Sequence, residues 1–135
     1  MPTIETIYEG NLRTKATHVA SGNTLITDAP TDNNGKGEAF SPTDLVCAAL
    51  GSCMMTIMGM VAEREQIDLR DTKFDIVKTM ASNPRRISRI EVIFNIKANL
   101  SLTSEQQEKL KRAALTCPVA LSLHPDIEQA VSFAF

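Results

Sequence analysis

The chain has 135 residues, 43% of them hydrophobic, enough for one compact domain with a core and too much for a disordered linker. Sixteen acidic side chains against fourteen basic ones give a formal net charge of −2, and no Lys or Arg run exceeds two, so the electrostatic footprint of a nucleic-acid binder is missing. The opening MPTIETIYEG has neither the basic nor the apolar region of an export signal, and the expected compartment is the cytoplasm.

Three cysteines, Cys47, Cys53 and Cys117, are an odd number in such a chain, so reduced thiols are expected rather than a disulfide framework. There is no CxxC pair and only His18 and His124 could complete a metal site. Cys117 and His124, seven residues apart, could share a coordination sphere with Cys53, but structural zinc sites use closely spaced ligand pairs, and no metal is expected.

In chain order, TIETIYEG, NLRTKATHV and NTLITDA read as three strands of an antiparallel meander, the last two separated by the turn former Ser21-Gly22. PTDNNGKGEAF reads as a surface loop. A helix is expected to start where Ser41 can cap, Pro42 can take the first helical position and Asp44 can close a capping box. From Leu45 to Ala62 no residue is charged. That length could span a bilayer, but Gly51, Ser52, Thr56 and Gly59 interrupt it and Asp44 and Glu63-Arg64-Glu65 flank it. It reads instead as a central helix buried all round, and in so small a domain a second subunit is the economical cover.

TKFDIVKTMA and ISRIEVIFNIKAN then form a strand pair around SNPRR, with Ile90, Val92, Phe94, Ile96 and Ala98 alternating against Arg89, Glu91, Asn95 and Lys97. Thr103 with Gln106 marks a second capping box, opening an amphipathic helix that carries Leu110, Ala113, Ala114 and Cys117 on or near one face. Pro118 ends it or begins a short helix from Val119 to Leu123, and EQAVSFAF is a final strand. The whole is an α+β domain over residues 1–135, with antiparallel sheets wrapped around the long helix.

Each thiol has a plain reading and a chemical one. Cysteine is among the most buried residue types, so Cys53 could simply fill space among Ala49, Leu50, Ile57 and Met60, and the same holds for Cys47, about 120° away around the helix. Cys117 precedes Pro118 at a helix N-terminus, where exposed N–H groups favour a thiolate, so local physics makes it the more acidic thiol. Met54, Met55, Met58 and Met60 crowd the helix around Cys53 and read as adaptable core before they read as a pocket.

The string SPTDLVCAALGSCMMTIMGMVAER, preceded by GEAF and followed by CPVALSLHPDIE, resembles the OsmC/Ohr family of thiol-dependent peroxide reductases, as do YEGNLR and SGNTLITDAP. The most specific part is the helix start with its GxC paired with a Cys-Pro-Val segment about 64 residues later. The resemblance implies an intertwined homodimer with two active sites at its interface. It implies reduction of hydroperoxides, mostly organic, with Cys53 as peroxidatic thiol and Cys117 as resolving thiol. The reductant would be a small dithiol or a lipoylated protein, and no cofactor or membrane partner is implied.

A thiolate in an apolar site needs a fixed cation. The family uses an arginine oriented by a carboxylate; Arg13 matches the arginine's region, and Arg64 is the substitute on the helix. Where many members carry Glu after the helix-start proline, this chain has Thr43, and the acid is Asp44, about 180° around the helix from Cys53. Contact between Asp44 and Cys53 would need a kink near Gly51 or a second chain. Two rival expectations keep the fold without turnover: a small-molecule-binding protein and a redox sensor.

Overall fold

The computed structural model describes residues 1–96 and 101–135. The chain forms two compact units, Met1–Val46 and Cys47–Phe135.

The first unit is the expected meander, β1 (Ile4–Gly10), β2 (Arg13–His18) and β3 (Thr24–Asp28), antiparallel in that order. Asn11 and Leu12 join β1 to β2 with φ of 54° and 63°, the positive sense that two-residue hairpins need; for the branched Leu12 this is a strained conformation. The β2–β3 turn closes where the His18 amide donates to Asn23 O at 2.7 Å, and the register then runs from Thr17 opposite Thr24 to Arg13 opposite Asp28. Among the described residues of this unit only Thr27, Asp28 and Ser41 are buried, none of them apolar. By strand alternation Ile4, Tyr8 and Leu25 share one face and Ile7 and Ile26 the other, and all five are exposed, Tyr8 by 63% and Ile7 by 68%.

The long helix α1 (Pro42–Arg64) starts at the boundary of the two units, as its cap residues require. The Asp44 amide donates to Ser41 Oγ at 3.1 Å and the Ser41 amide donates to Asp44 Oδ2 at 3.0 Å, so two orphan donors are satisfied reciprocally. The second unit adds β4 (Lys73–Ala81), β5 (Arg86–Asn95), α2 (Ser104–Leu115), α3 (Pro118–Ser122) and β6 (Glu128–Ala134). Cys47, Leu50, Met54, Met58 and Ala62 recur at helical spacing along α1 and form one core with Ile90, Val92 and Phe94 of β5 and Leu110 and Ala114 of α2. Gly51 allows the close approach of helix to sheet: a Cβ there would sit 2.5 Å from Ile76 Cδ1 and 3.2 Å from Phe74. Thr103 and Gln106 make the second capping box.

Three expectations are corrected or bounded. The sheets are not wholly antiparallel: β6 pairs parallel with β5, because α2 and α3 lie on the connection between them and return the chain to the starting end of β5. The long helix is not buried all round within one chain; 33% of its most apolar stretch is buried, and Met60 is 53% exposed while Met54 and Met58 are fully buried. The alternation of β5 holds through Ile96, and its continuation to Lys97 and Ala98 lies outside the described residues.

Candidate active site

The second unit brings Cys53 and Cys117 together, close enough that Cys53 raises the pKa of Cys117. Cys53 faces outward enough from α1 to be half-buried. Cys117 has no exposure at all; it holds the N-cap position of α3 in the extended conformation that a following proline imposes, with Pro118 as the first helical residue. Cys47 is buried in the core at its own position on α1. None of the three is in a disulfide among the described residues.

The expectation that the start of α3 acidifies Cys117 is overturned. Burial pushes its pKa up, and the neighbouring Cys53 adds to the rise. The amides of Ala120 and Val119 face the sulfur and favour the thiolate, without closing a capping hydrogen bond, and burial outweighs them. The helix-terminus argument therefore has the right sign and too small a size. Of the two cysteines, Cys53 is the more exposed residue.

The first unit holds the charged part. Arg13 and Asp28 stand directly opposite across β2 and β3, and the guanidinium grips the carboxylate with two bonds, Nε to Oδ1 and Nη2 to Oδ2, both 2.7 Å. Asp28 Oδ2 also accepts the Glu38 amide at 3.1 Å, and the Glu38 carboxylate lies 3.4 Å from Nη2. Asp28 is 1% exposed and Arg13 26%. The Arg13 bond, then the Glu38 amide, hold the Asp28 carboxyl below its ordinary range against the cost of burial, and Asp28 in turn raises the pKa of the permanently charged Arg13. Among the described residues Nη1 of Arg13 makes no ion pair, so the fork is oriented with one nitrogen uncommitted.

Sequence reasoning named Arg13 and missed both Asp28 and Glu38. The signal was present in part: counting back along the two strands from the turn that follows His18 sets Arg13 opposite Asp28. Asp44, named from the sequence as the acid of the site, has its carboxylate on the Ser41 amide at the start of α1. The helix runs unbroken through Gly51, and Asp44 and Arg13 belong to the first unit while both paired thiols belong to the second. Arg64 sits in the last turn of α1, and His124 is exposed, its Nδ1 accepting the Asp126 amide at 3.0 Å. Among the described residues no group of three or more His, Cys, Asp or Glu could hold a metal ion.

A family model described as OsmC-like protein matches residues 35–132. No curated protein matches the chain. Among solved structures, a protein of Psychrobacter arcticus 273-4 provisionally described as an osmotic stress induced and detoxification response protein is 48% identical, with a TM-score of 0.94 over 99% of this chain and 96% of that one. An organic hydroperoxide resistance protein OsmC from Legionella pneumophila is 18% identical, with a TM-score of 0.75 over 100% and 98% of the two chains. An organic hydroperoxide resistance protein from Elizabethkingia anophelis is 16% identical, with a TM-score of 0.74 over 99% and 96%. The last two likenesses are of fold.

Proposed function

The chain belongs to the OsmC-like protein family, with its mixed α+β fold, and we propose that it reduces organic hydroperoxides through a two-cysteine cycle. The observation that carries this reading is the proximity of a partly exposed cysteine, Cys53, to a fully buried one, Cys117. In the first step the Cys53 thiolate attacks the outer oxygen of the hydroperoxide. The O–O bond breaks, the alcohol leaves with a proton, and Cys53 becomes a sulfenic acid. Cys117 then attacks that sulfur, water leaves, and a Cys53–Cys117 disulfide forms without any large movement of the chain. A small dithiol or a lipoylated protein supplies the two electrons that restore both thiols. The names of same-fold proteins, given for organic hydroperoxide resistance, support the substrate class.

Arg13 is the cation proposed to hold the Cys53 thiolate, with Asp28 and Glu38 rather than Asp44 as its orienting carboxylates, since they already fix the fork and leave Nη1 as a donor. A second copy of the chain covers the exposed apolar side chains of the meander and the open side of α1, giving a homodimer whose sites are completed at the interface. Residues 1–135 act as one domain in the cytoplasm, and α1, although long and apolar enough to cross a membrane, serves as its core helix.

The test is steady-state consumption of cumene hydroperoxide with dihydrolipoamide as reductant. Wild type turns over, Cys53→Ser is inactive, and Cys117→Ser undergoes a single oxidation to a sulfenic acid that a dimedone probe captures. Turnover by Cys53→Ser, or none by wild type, overturns the reading.

A further inference from the structure

The place of the Cys117 sulfur depends on a very short element. α3 has five residues, far fewer than a helix needs to persist by itself, so its geometry is set by what holds it. Part of that hold is local: the Leu121 amide donates to Cys117 O at 3.1 Å, and Ser122 Oγ donates to Pro118 O at 2.7 Å. A further bond comes from another element. Gln129 of β6 donates from Nε2 to Ala120 O, in the middle of α3, at 3.0 Å.

The fold places both ends of that bond. Gln129 stands opposite Ile90 on the parallel β5–β6 ladder, Ile90 is fully buried, and residues opposite each other share a face, so the Gln129 side chain leaves β6 on the core side. Ala120 is buried too, and its carbonyl lies beyond the amides of α3: the residue four further on is His124, past the end of the helix at Ser122, and Leu123 is already extended. A buried carbonyl left without a donor is destabilising, and the glutamine amide satisfies it. Ala120 is thereby tied on two sides, its N–H facing the Cys117 sulfur and its C=O held by β6.

We propose that Gln129 is a positioning residue for the resolving step: by fixing Ala120 it holds the α3 turn, and with it Cys117, close to the oxidised Cys53. The claim rests on the two-cysteine reading above. In that step the Cys117 sulfur forms the S–S bond, the S–O bond of the sulfenic acid breaks, and hydroxide leaves with the thiol proton as water. Gln129 bonds the turn that carries Cys117 and not the helix that carries Cys53, so its loss spares the first step and slows the second.

The experiment follows a single turnover of reduced full-length protein with cumene hydroperoxide, timing the Cys53 sulfenic acid by dimedone capture and the disulfide by mass spectrometry. In Gln129→Leu, which keeps the bulk and removes the donor, the sulfenic acid is expected to form at the wild-type rate and to pass to disulfide about tenfold more slowly, the effect of one buried acceptor left unpaired. Under excess peroxide the longer-lived sulfenic acid then goes on to sulfinic acid in the variant and not in wild type. Gln129→Glu, of the same shape with no proton to donate at neutral pH, should behave alike, and it carries the test if the leucine variant does not fold. Equal slowing of both steps would mark a general loosening and overturn the proposal, as would a second step left unchanged. A further arm replaces the peroxide with diamide, an azo oxidant to which the Cys53 thiolate adds and from which Cys117 displaces the hydrazine to close the same disulfide. Wild type inert to peroxide, with diamide closing the disulfide more slowly in the variants, sinks the peroxidase reading and leaves the role of Gln129 standing. Peroxide turnover with both variants at wild-type rates sinks only this proposal.

Discussion

The Met1–Val46 unit and the Cys47–Phe135 unit are built on opposite principles. The second encloses a core from α1, the β4–β6 sheet and α2, with Cys117 inside that core and Cys53 packed against it. The first buries no apolar side chain, spends its buried positions on Thr27, Asp28 and Ser41, and leaves Ile4, Ile7, Tyr8 and Leu25 exposed. A three-stranded sheet with apolar residues open on both faces is unfinished as a free-standing unit. The apolar core and the paired thiols lie in one unit and the Arg13–Asp28 pair in the other, and the proposed chemistry needs both.

The largest expected effect is a core truncation in the second unit. Phe94 is fully buried between Phe74 and Phe133, ring centroids 5.1 and 5.4 Å away. Phe94→Ala should cost about 3–5 kcal/mol, read from the urea midpoint. By contrast, Ile7→Ser in the first unit should raise the dissociation constant of the proposed dimer in sedimentation, because the cover proposed for Ile7 comes from another chain. If Ile7→Ser left the dimer untouched, the division would be wrong.

Next in size is Gly51→Ala, which forces Ile76 and Phe74 away from the helix and should destabilise by about 1–3 kcal/mol despite the better helix propensity of alanine. A gain in melting temperature would refute the close approach. Smaller at neutral pH is the loss of the Asp28 pair. Because its folded pKa is lowered, Asp28 adds stability that is present above the ordinary carboxylate value of 3.8 and is lost as pH falls through the depressed one. Asp28→Asn should flatten that acid limb of the stability curve. Cys117 works in the opposite sense. Its raised pKa makes its contribution full below the ordinary thiol value of 9.0, and it declines as pH rises toward the folded value. The smallest change is favourable: Leu12→Gly removes a positive-φ strain and should stabilise the hairpin by about 1 kcal/mol in thermal melts.

Much of the chain was legible where its signals are local. The capping boxes at Ser41 and Thr103 and the alternation through Ile90, Val92 and Phe94 each lie within a few residues, and each holds in three dimensions. What escaped depends on pairing between distant segments. Asp28 and Glu38 meet Arg13 only through the β2–β3 register and the loop after it. The parallel return of β6 depends on which end of β5 the connection reaches. The acidity of Cys117 is hidden from the sequence for a related reason: the helix-terminus effect can be read from Pro118, but the complete burial that outweighs it comes from elements remote in sequence.

If the partly exposed sulfur of α1 and the buried one before Pro118 are partners in one reaction, as proposed, peptide mapping after a stoichiometric pulse of alkyl hydroperoxide reads it directly. The expected product is a Cys53–Cys117 disulfide formed within one chain, with Cys47 still a thiol. Recovery of Cys53 and Cys117 unmodified, or a bond that includes Cys47, would contradict it.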